Sequence, residues 1–150
     1  MKRTLYFAVI LTLLLGACQA KGGIEVSEAW ARTSTQGMNS AVYFVIQNNN
    51  AEADELIGAA SSLADATEVH ESTMEGGVMK MSHIESIMLE PSAKVEFKPG
   101  GYHVMLIGLK QDLKAGDEIE ITLQFKNSPD VVVKVMVKEA EGMNMGTPAP

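Results

Sequence analysis

Residues 67–84 read TEVHESTMEGGVMKMSHI, and this stretch decides how the chain is expected to fold. The dipeptide Gly76-Gly77 is typical of the two-residue loop of a β-hairpin. We therefore expect Thr67–Met74 and Val78–Ile84 to form two antiparallel strands. Side chains alternate along a strand, so one face of this hairpin is predicted to be polar. The other face is predicted to carry His70, Ser72, Met74, Met79, Met81 and His83.

A second stretch, GGYHVMLIGL at residues 100–109, is predicted to be a strand that follows a glycine turn. His103 and Met105 lie two positions apart, so both side chains point to the same face of the strand. Val104 and Leu106 point to the other face and are predicted to enter the core. A histidine and a methionine thus share the side of this strand that does not face the core.

The rest of the chain from Ile24 onward favours short strands separated by Gly, Pro and Asn. Leu56–Leu63, rich in small residues, is predicted to be a connection. Many short strands at this spacing, without a convincing amphipathic helix, predict an antiparallel β-sandwich that forms one domain over residues 24–138. Four further strands are predicted at residues 41–46, 94–97, 119–125 and 131–137.

The N-terminus has the features of an export signal rather than of a folded domain. Residues 1–17 combine a basic start with a short apolar segment, and Leu15-Gly16-Ala17-Cys18 resembles the lipobox of bacterial lipoproteins. The resemblance implies cleavage before Cys18, lipidation of this residue, and a short tether over residues 18–23. We expect an extracytoplasmic, lipid-anchored protein that faces the periplasm in a Gram-negative cell. The alternative is an ordinary secretory signal that is cut a few residues later.

Charge and cysteine content narrow the classes of function. Cleavage after residue 17 removes Lys2 and Arg3 but no acidic residue, so the formal net charge goes from −7 to −9. Such an acidic domain is a poor binder of nucleic acid. Cys18 is the only cysteine. Once it is lipidated, the domain has no thiolate to offer a metal ion and no disulfide.

Two imidazoles and two thioethers would meet if the strand of His103 and Met105 lay beside the hairpin. In the hairpin, His70 and Met81 are diagonal neighbours within reach of one ion. Thioethers are soft, neutral ligands that suit Cu(I), whereas Zn²⁺ prefers thiolate, imidazole or carboxylate. The residues alone leave a second interpretation open, in which the methionines fill the core and the histidines are ordinary hydrogen-bonded residues.

The spacing of these four residues, H-x10-M-x21-H-x-M, resembles the pattern of the PCu(A)C family of periplasmic copper chaperones, formerly a domain of unknown function. The resemblance covers residues 24–138. It extends to Glu28-Ala-Trp-Ala-Arg32, Ser40-Ala-Val-Tyr43 with Asn48, Glu68-Val-His-Glu71 and the whole stretch 100–109.

The resemblance implies a cupredoxin-like Greek-key β-sandwich that binds Cu(I) through His70, Met81, His103 and Met105. It also implies a carrier rather than an enzyme, which supplies copper to the Cu(A) centre of cytochrome c oxidase, often alongside Sco-type proteins. The alternative is a periplasmic copper buffer or resistance protein that delivers copper to no acceptor. We expect a monomer.

Four further residues are candidates for additional copper ligands. His83 and Met79 lie beside Met81, and His83 is either a fifth or substitute ligand or simply a neighbouring histidine. The tail, residues 139–150, contains Met143 and Met145 but no histidine, which argues against a Cu(II) site there. The tail is either a place of transient Cu(I) capture or an unstructured end.

Overall fold

Ten β-strands make up the regular structure of residues 22–139, the part of the chain that the computed structural model describes. They are β1 (Ile24–Arg32), β2 (Ser40–Asn48), β3 (Asp54–Ala60), β4 (Ala64–Glu75), β5 (Val78–His83), β6 (Ile87–Leu89), β7 (Lys94–Phe97), β8 (Tyr102–Leu109), β9 (Glu118–Phe125) and β10 (Val131–Lys138). The described residues contain no helix with the length and hydrophobicity that a membrane span needs. The predicted signal peptide, Cys18, Met143 and Met145 lie outside them.

The strands form one continuous sheet that folds over into a sandwich, as the sequence predicts. The order is β5-β4-β8-β7-β2-β1-β10-β9-β3-β6, and β8 also pairs with β2. Most pairings are antiparallel, but β1 runs parallel to β10, and β7 makes a single parallel pairing with β8. The core is one cluster of apolar side chains drawn from both halves of the sheet, including Val42, Phe44, Leu56, Val104, Leu106, Ile121, Leu123 and Val135.

The hairpin around Gly76-Gly77 has the predicted register. Both glycines have positive φ angles, as a tight hairpin turn requires. The pairing of β4 with β5 places His70 opposite His83. On its other edge β4 pairs antiparallel with β8, which places His70 opposite His103. The strand 100–109 therefore lies beside the hairpin, which is the condition for the four side chains to meet. Val104 and Leu106 are fully buried, as predicted.

The predicted connection over Leu56–Leu63 is wrong, because most of it belongs to β3. This strand pairs with β9 and with the short β6, which is not among the strands predicted from the sequence. Leu56 and Ala59 are buried in the core. At the start of β3, the carboxylate of Asp54 accepts hydrogen bonds from the backbone N–H groups of Asn127 and Ser128, at 2.9 Å each. These partners lie more than 70 positions away along the chain, so the local sequence does not reveal the strand.

Candidate metal centre

Three imidazole rings lie side by side across β8, β4 and β5. Each pair of neighbours is a directly opposed pair in its ladder, so all three side chains project from the same face. The ring centroids of His103 and His70 are 6.0 Å apart, and those of His70 and His83 are 5.7 Å apart. His103 is almost entirely buried, whereas His83 is exposed at the edge of the sheet. The row therefore leads from the interior to the solvent.

Methionine side chains meet His103 in a cleft of about 620 Å³. Met81 comes from β5 and Met105 from β8, and both line the cleft with His103. Three of the four predicted ligands therefore share one cleft. The fourth, His70, is not among its lining residues but lies next to His103 in the row of imidazoles. Met79, predicted as an additional ligand, also lines the cleft.

The hydrogen bonds of His103 and His70 leave one ring nitrogen free on each. His103 Nδ1 lies 3.0 Å from the carbonyl oxygen of Gly101, which can only accept, so Nδ1 carries the proton. His70 Nε2 lies 2.8 Å from a carboxylate oxygen of Glu68. His103 Nε2 and His70 Nδ1 are buried and have no hydrogen-bond partner. In neutral imidazoles these two nitrogens are bare lone pairs, as a metal ion requires.

The surroundings of His103 favour its neutral form. Burial lowers the pKa of this imidazole below its usual 6.5, and the nearby His70 and Arg32 act in the same direction. The hydrogen bond to Gly101 opposes them, but the net shift is downward. His103 is therefore neutral at neutral pH, so a metal ion does not have to displace a proton from it.

An aromatic wall adjoins the centre on the side of β2 and β1. The ring of Tyr43 lies 6.3 Å from that of His103 and 4.6 Å from that of Trp30. The guanidinium of Arg32 stands 5.6 Å from the centre of the Tyr43 ring. Burial raises the pKa of the Tyr43 phenol, although Arg32 opposes this effect, so the phenol stays neutral. Tyr43 thus contributes an uncharged wall rather than an anionic ligand.

The donor set suits a soft ion better than a hard one. Between residues 22 and 139, no three His, Cys, Asp or Glu side chains are grouped so that they could hold a metal ion. Among the described residues that line the cleft, Met79, Met81 and Met105 supply the soft donors that could complete a coordination shell around the two free nitrogens. Neutral thioethers with imidazoles form a donor set that suits Cu(I) and that offers Zn²⁺ or Mg²⁺ little.

Glu68 is a functional candidate that is not among the site residues predicted from the sequence. It lies two positions before His70 on β4, so the two side chains share a face and form an ion pair when the imidazole is protonated. The period-two rule that linked His103 with Met105 would have identified it. The contact with its carboxylate favours a proton on Nε2 of His70, which leaves the lone pair on Nδ1.

Comparison with known proteins agrees with the fold and the family resemblance. The LpqE-like lipoprotein family matches residues 24–137. A protein of Leifsonia xyli subsp. xyli named as a lipoprotein is 34% identical over 123 residues, which cover 81% of this chain and 74% of that protein. An uncharacterized protein of Rickettsia prowazekii, RP573, is 33% identical over 123 residues, covering 79% of this chain and 68% of its own.

Solved structures of PCuAC domains share the fold. The copper-bound PCuAC domain from PmoF2 superimposes with a TM-score of 0.66 at 25% identity, covering 79% of this chain and 95% of that domain. The solution structure of CuI-DR1885 from Deinococcus radiodurans gives a TM-score of 0.62 at 26% identity, covering 84% of this chain and 85% of that chain. The predicted cupredoxin-like β fold is thereby confirmed. The chain belongs to the LpqE-like family of PCuAC-type domains.

Proposed function

We propose that this protein is an extracytoplasmic metallochaperone that binds one Cu(I) ion through His70, Met81, His103 and Met105. The observation that carries the proposal is the pair of buried ring nitrogens without partners, on His70 and His103, beside a cleft lined by thioethers. A buried acceptor without a partner is costly, and a bound cation satisfies both at once. The copper-bound PmoF2 domain and CuI-DR1885, which share the fold, support copper as the cargo.

The exposure of the ligands fits a carrier, which must bind its ion and also release it. His103 is buried and is oriented by the Gly101 carbonyl, so it acts as a fixed anchor. Met81 lies on the exposed edge strand with 51% of its surface accessible. An acceptor's ligand can replace this thioether first, while the imidazoles still bind the ion. No bond of a substrate is made or broken, so the activity is transfer rather than catalysis.

Competition with a chromophoric Cu(I) chelator tests the site. The full chain carrying Cys18→Ser, Met143→Leu and Met145→Leu serves as the background, because these changes remove the thiol of Cys18 and the two thioethers of the tail. We expect one tightly bound Cu(I), and weaker binding after His103→Ala or Met105→Leu. Met88→Leu, an exposed methionine on β6, is the matched control and leaves the affinity unchanged. Undiminished binding of one Cu(I) after replacement of all four ligands would overturn the site.

The acceptor we propose is the Cu(A) centre of cytochrome c oxidase, reached directly or through a Sco-type protein. Deletion of the gene is expected to lower oxidase activity when copper is scarce and to leave it normal when copper is abundant. Copper sensitivity with normal oxidase activity in both conditions would instead identify a buffer or resistance protein. The four ligands serve both functions equally well, so the deletion tests delivery separately from binding.

The anchor we propose is a lipid on Cys18. The family and the Leifsonia relative are named as lipoproteins, which supports this assignment. Cys18→Ser is expected to abolish the incorporation of radiolabelled palmitate and to block processing at residue 18. A variant that still incorporates the label would contradict the assignment.

A further inference from the structure

The hairpin of β4 and β5 carries more methionines than the proposed centre uses. Met74 and Met79 are 64% and 58% exposed, and Met81 follows on the same strand at 51%. Met74 is directly opposite Met79, and Met81 lies two positions further along β5, so all three project from one face. They are the only large apolar side chains on that face of the hairpin between the turn and His83. This set is called the methionine ladder below.

The hydrogen bonding of β4 shows how closely the ladder is packed. The N–H of Ser72 donates to the carbonyl of Gly101, 3.1 Å away, and therefore points away from β5. Ser72 and its partner Met81 are thus a non-hydrogen-bonded pair of the hairpin. Hydrogen-bonded and non-hydrogen-bonded pairs alternate along two antiparallel strands. Met74 and Met79, two positions away from Ser72 and Met81, are therefore also a non-hydrogen-bonded pair. In these pairs the Cα atoms are about 4.5 Å apart and the side chains are closest.

A packing role does not account for the ladder. All six residues of β5 are exposed, and none belongs to the apolar core. The other face of the hairpin is polar, and Lys80 there forms an ion pair with Glu75. Three thioethers therefore stand in solvent at the free edge of the sheet, where charged side chains commonly protect an edge strand from unwanted pairing.

The ladder is continuous with the proposed centre. Met79 and Met81 both line the cleft that contains His103 and Met105, whereas Met74 lies nearer the turn, outside that lining. Met81 is also a diagonal neighbour of Met74, at a separation that long side chains can bridge. Met81 therefore belongs to both groups of sulfur atoms.

We propose that Met74, Met79 and Met81 form a second, thioether-only site that captures Cu(I) at the surface and passes it to the histidine centre; this rests on the proposed function. Three neutral thioethers favour a soft monovalent ion but lack the imidazoles that anchor it in the cleft. The ladder therefore binds Cu(I) more weakly than the centre. During transfer Met81 keeps its bond to copper while His70, His103 and Met105 replace Met74 and Met79, and copper remains Cu(I) throughout.

Methyl NMR tests this site directly. The full chain in detergent micelles, with Cys18→Ser, Met143→Leu and Met145→Leu, is labelled with ¹³C at the methionine methyl groups and titrated with Cu(I). The first equivalent is expected to shift the signals of Met81 and Met105. Because Met81 then binds the first ion in the centre, the second equivalent is held by Met74 and Met79 alone, more weakly, and is expected to shift their two signals. Signals of Met74 and Met79 that remain unmoved at two equivalents would overturn the proposal, whatever the first equivalent does.

A double variant separates this proposal from the previous one. Met74→Leu with Met79→Leu keeps the apolar volume and removes both sulfur atoms. We expect loss of the second equivalent, retention of the first, and slower uptake of Cu(I) from a chelator in stopped flow. Met88→Leu, the control on β6, changes none of these. Retention of the second equivalent, or uptake at the wild-type rate, contradicts the methionine ladder. Failure of the first equivalent to bind when Met74 and Met79 are both intact contradicts the histidine centre instead. Loss of the first equivalent in the double variant alone would make Met79 a ligand of the centre and contradict the division into two sites.

Discussion

At the scale of single residues, Glu68 has the most specific role that the structure reveals. Its carboxylate lies 2.8 Å from His70 Nε2 and leaves Nδ1 as the only nitrogen available to an ion. Groups that orient a ligating histidine typically contribute about 10–100-fold to metal affinity. We therefore expect Glu68→Ala to weaken Cu(I) binding by about 10–100-fold, as measured by chelator competition.

The matched control for this variant is Glu71→Ala. Glu71 has the same charge and lies on the same strand, but its side chain points to the opposite, polar face. Glu71→Ala and Glu68→Ala change the net charge by the same amount. Any difference in Cu(I) affinity between the two variants therefore reports on the contact of Glu68 with His70 rather than on long-range attraction of the cation. Equal losses in the two variants would show that the carboxylate of Glu68 acts only through its charge.

Protonation of His103 is expected to make the stability of the copper-free protein depend on pH. Its pKa is lowered by burial in the folded state, so the unfolded chain binds more protons than the folded one just below the usual pKa of about 6.5. The stability contribution is thus fully present above about pH 6.5 and is lost as the pH falls below it. Urea midpoints measured from pH 7.5 to 5 are expected to decrease, with a smaller decrease in His103→Leu.

The exposed His83 provides the control for that measurement. His83→Leu removes an imidazole of the same type from the same row, but from a position that already contacts solvent. We expect the urea midpoints of this variant to follow the wild type across the pH range. A His103→Leu profile that coincides with the wild type would assign the acid sensitivity to other groups.

At the scale of elements, the hairpin is the part of the fold that local sequence specifies most strongly. Gly76 and Gly77 have φ angles of 58° and 81°, and an added Cβ would meet no heavy atom within 4 Å at either position. The only penalty for a side chain is therefore backbone strain. We expect Gly77→Ala to lower the free energy of unfolding by about 1–2 kcal/mol, as measured by urea denaturation.

Gly76→Asn tests whether backbone strain is the correct cause. Asparagine tolerates the left-handed region better than alanine, and Asn-Gly is a favoured pair in this kind of turn. We expect this variant to be close to wild type in stability. A loss as large as that of Gly77→Ala would indicate that the turn depends on glycine for another reason.

Elements that depend on distant partners are harder to predict from the sequence. The hairpin and β8 follow from residue alternation and turn chemistry, both of which operate within a few positions. β3 does not follow from these local rules, because Gly58, Ala59 and Ala60 have a weak intrinsic preference for a strand. Its position is fixed by pairing with β9 and by the hydrogen bonds that Asp54 accepts from a remote loop. The parallel pairing of β1 with β10 is likewise a long-range feature that no local pattern encodes.

At the scale of the whole molecule, the candidate centre combines a local and a non-local pairing. The alternation of side chains along a strand predicts, from short segments alone, that His103 shares a face with Met105 and that His70 shares a face with Met81. The meeting of these halves depends on the pairing of β4 with β8, whose residues His70 and His103 are far apart in sequence. In the sequence, only the spacing shared with the PCu(A)C family links the two halves. The two free nitrogens depend on three-dimensional hydrogen bonds and follow from no sequence pattern.

The core and the cleft occupy opposite sides of the same strands, so stability and copper binding are expected to be separable. Leu123 on β9 is fully buried and lies in the half of the sheet that does not line the cleft. Leu123→Ala is expected to lower the free energy of unfolding by about 2–5 kcal/mol, because it leaves a cavity. A domain of this size is typically stable by about 5–15 kcal/mol, so we expect the variant to remain folded.

Copper binding by Leu123→Ala then tests the separation. A ligand that binds only the folded state stabilises it by an amount set by its concentration and affinity, and not by the starting stability. The same free concentration of Cu(I) should therefore raise the free energy of unfolding by the same amount in Leu123→Ala and in the wild type, although the variant starts from a lower stability. His103→Ala should show the reverse pattern, with little or no stabilisation by copper. If folded Leu123→Ala failed to gain stability from Cu(I), the geometry of the centre would depend on the packing of the distant half of the core.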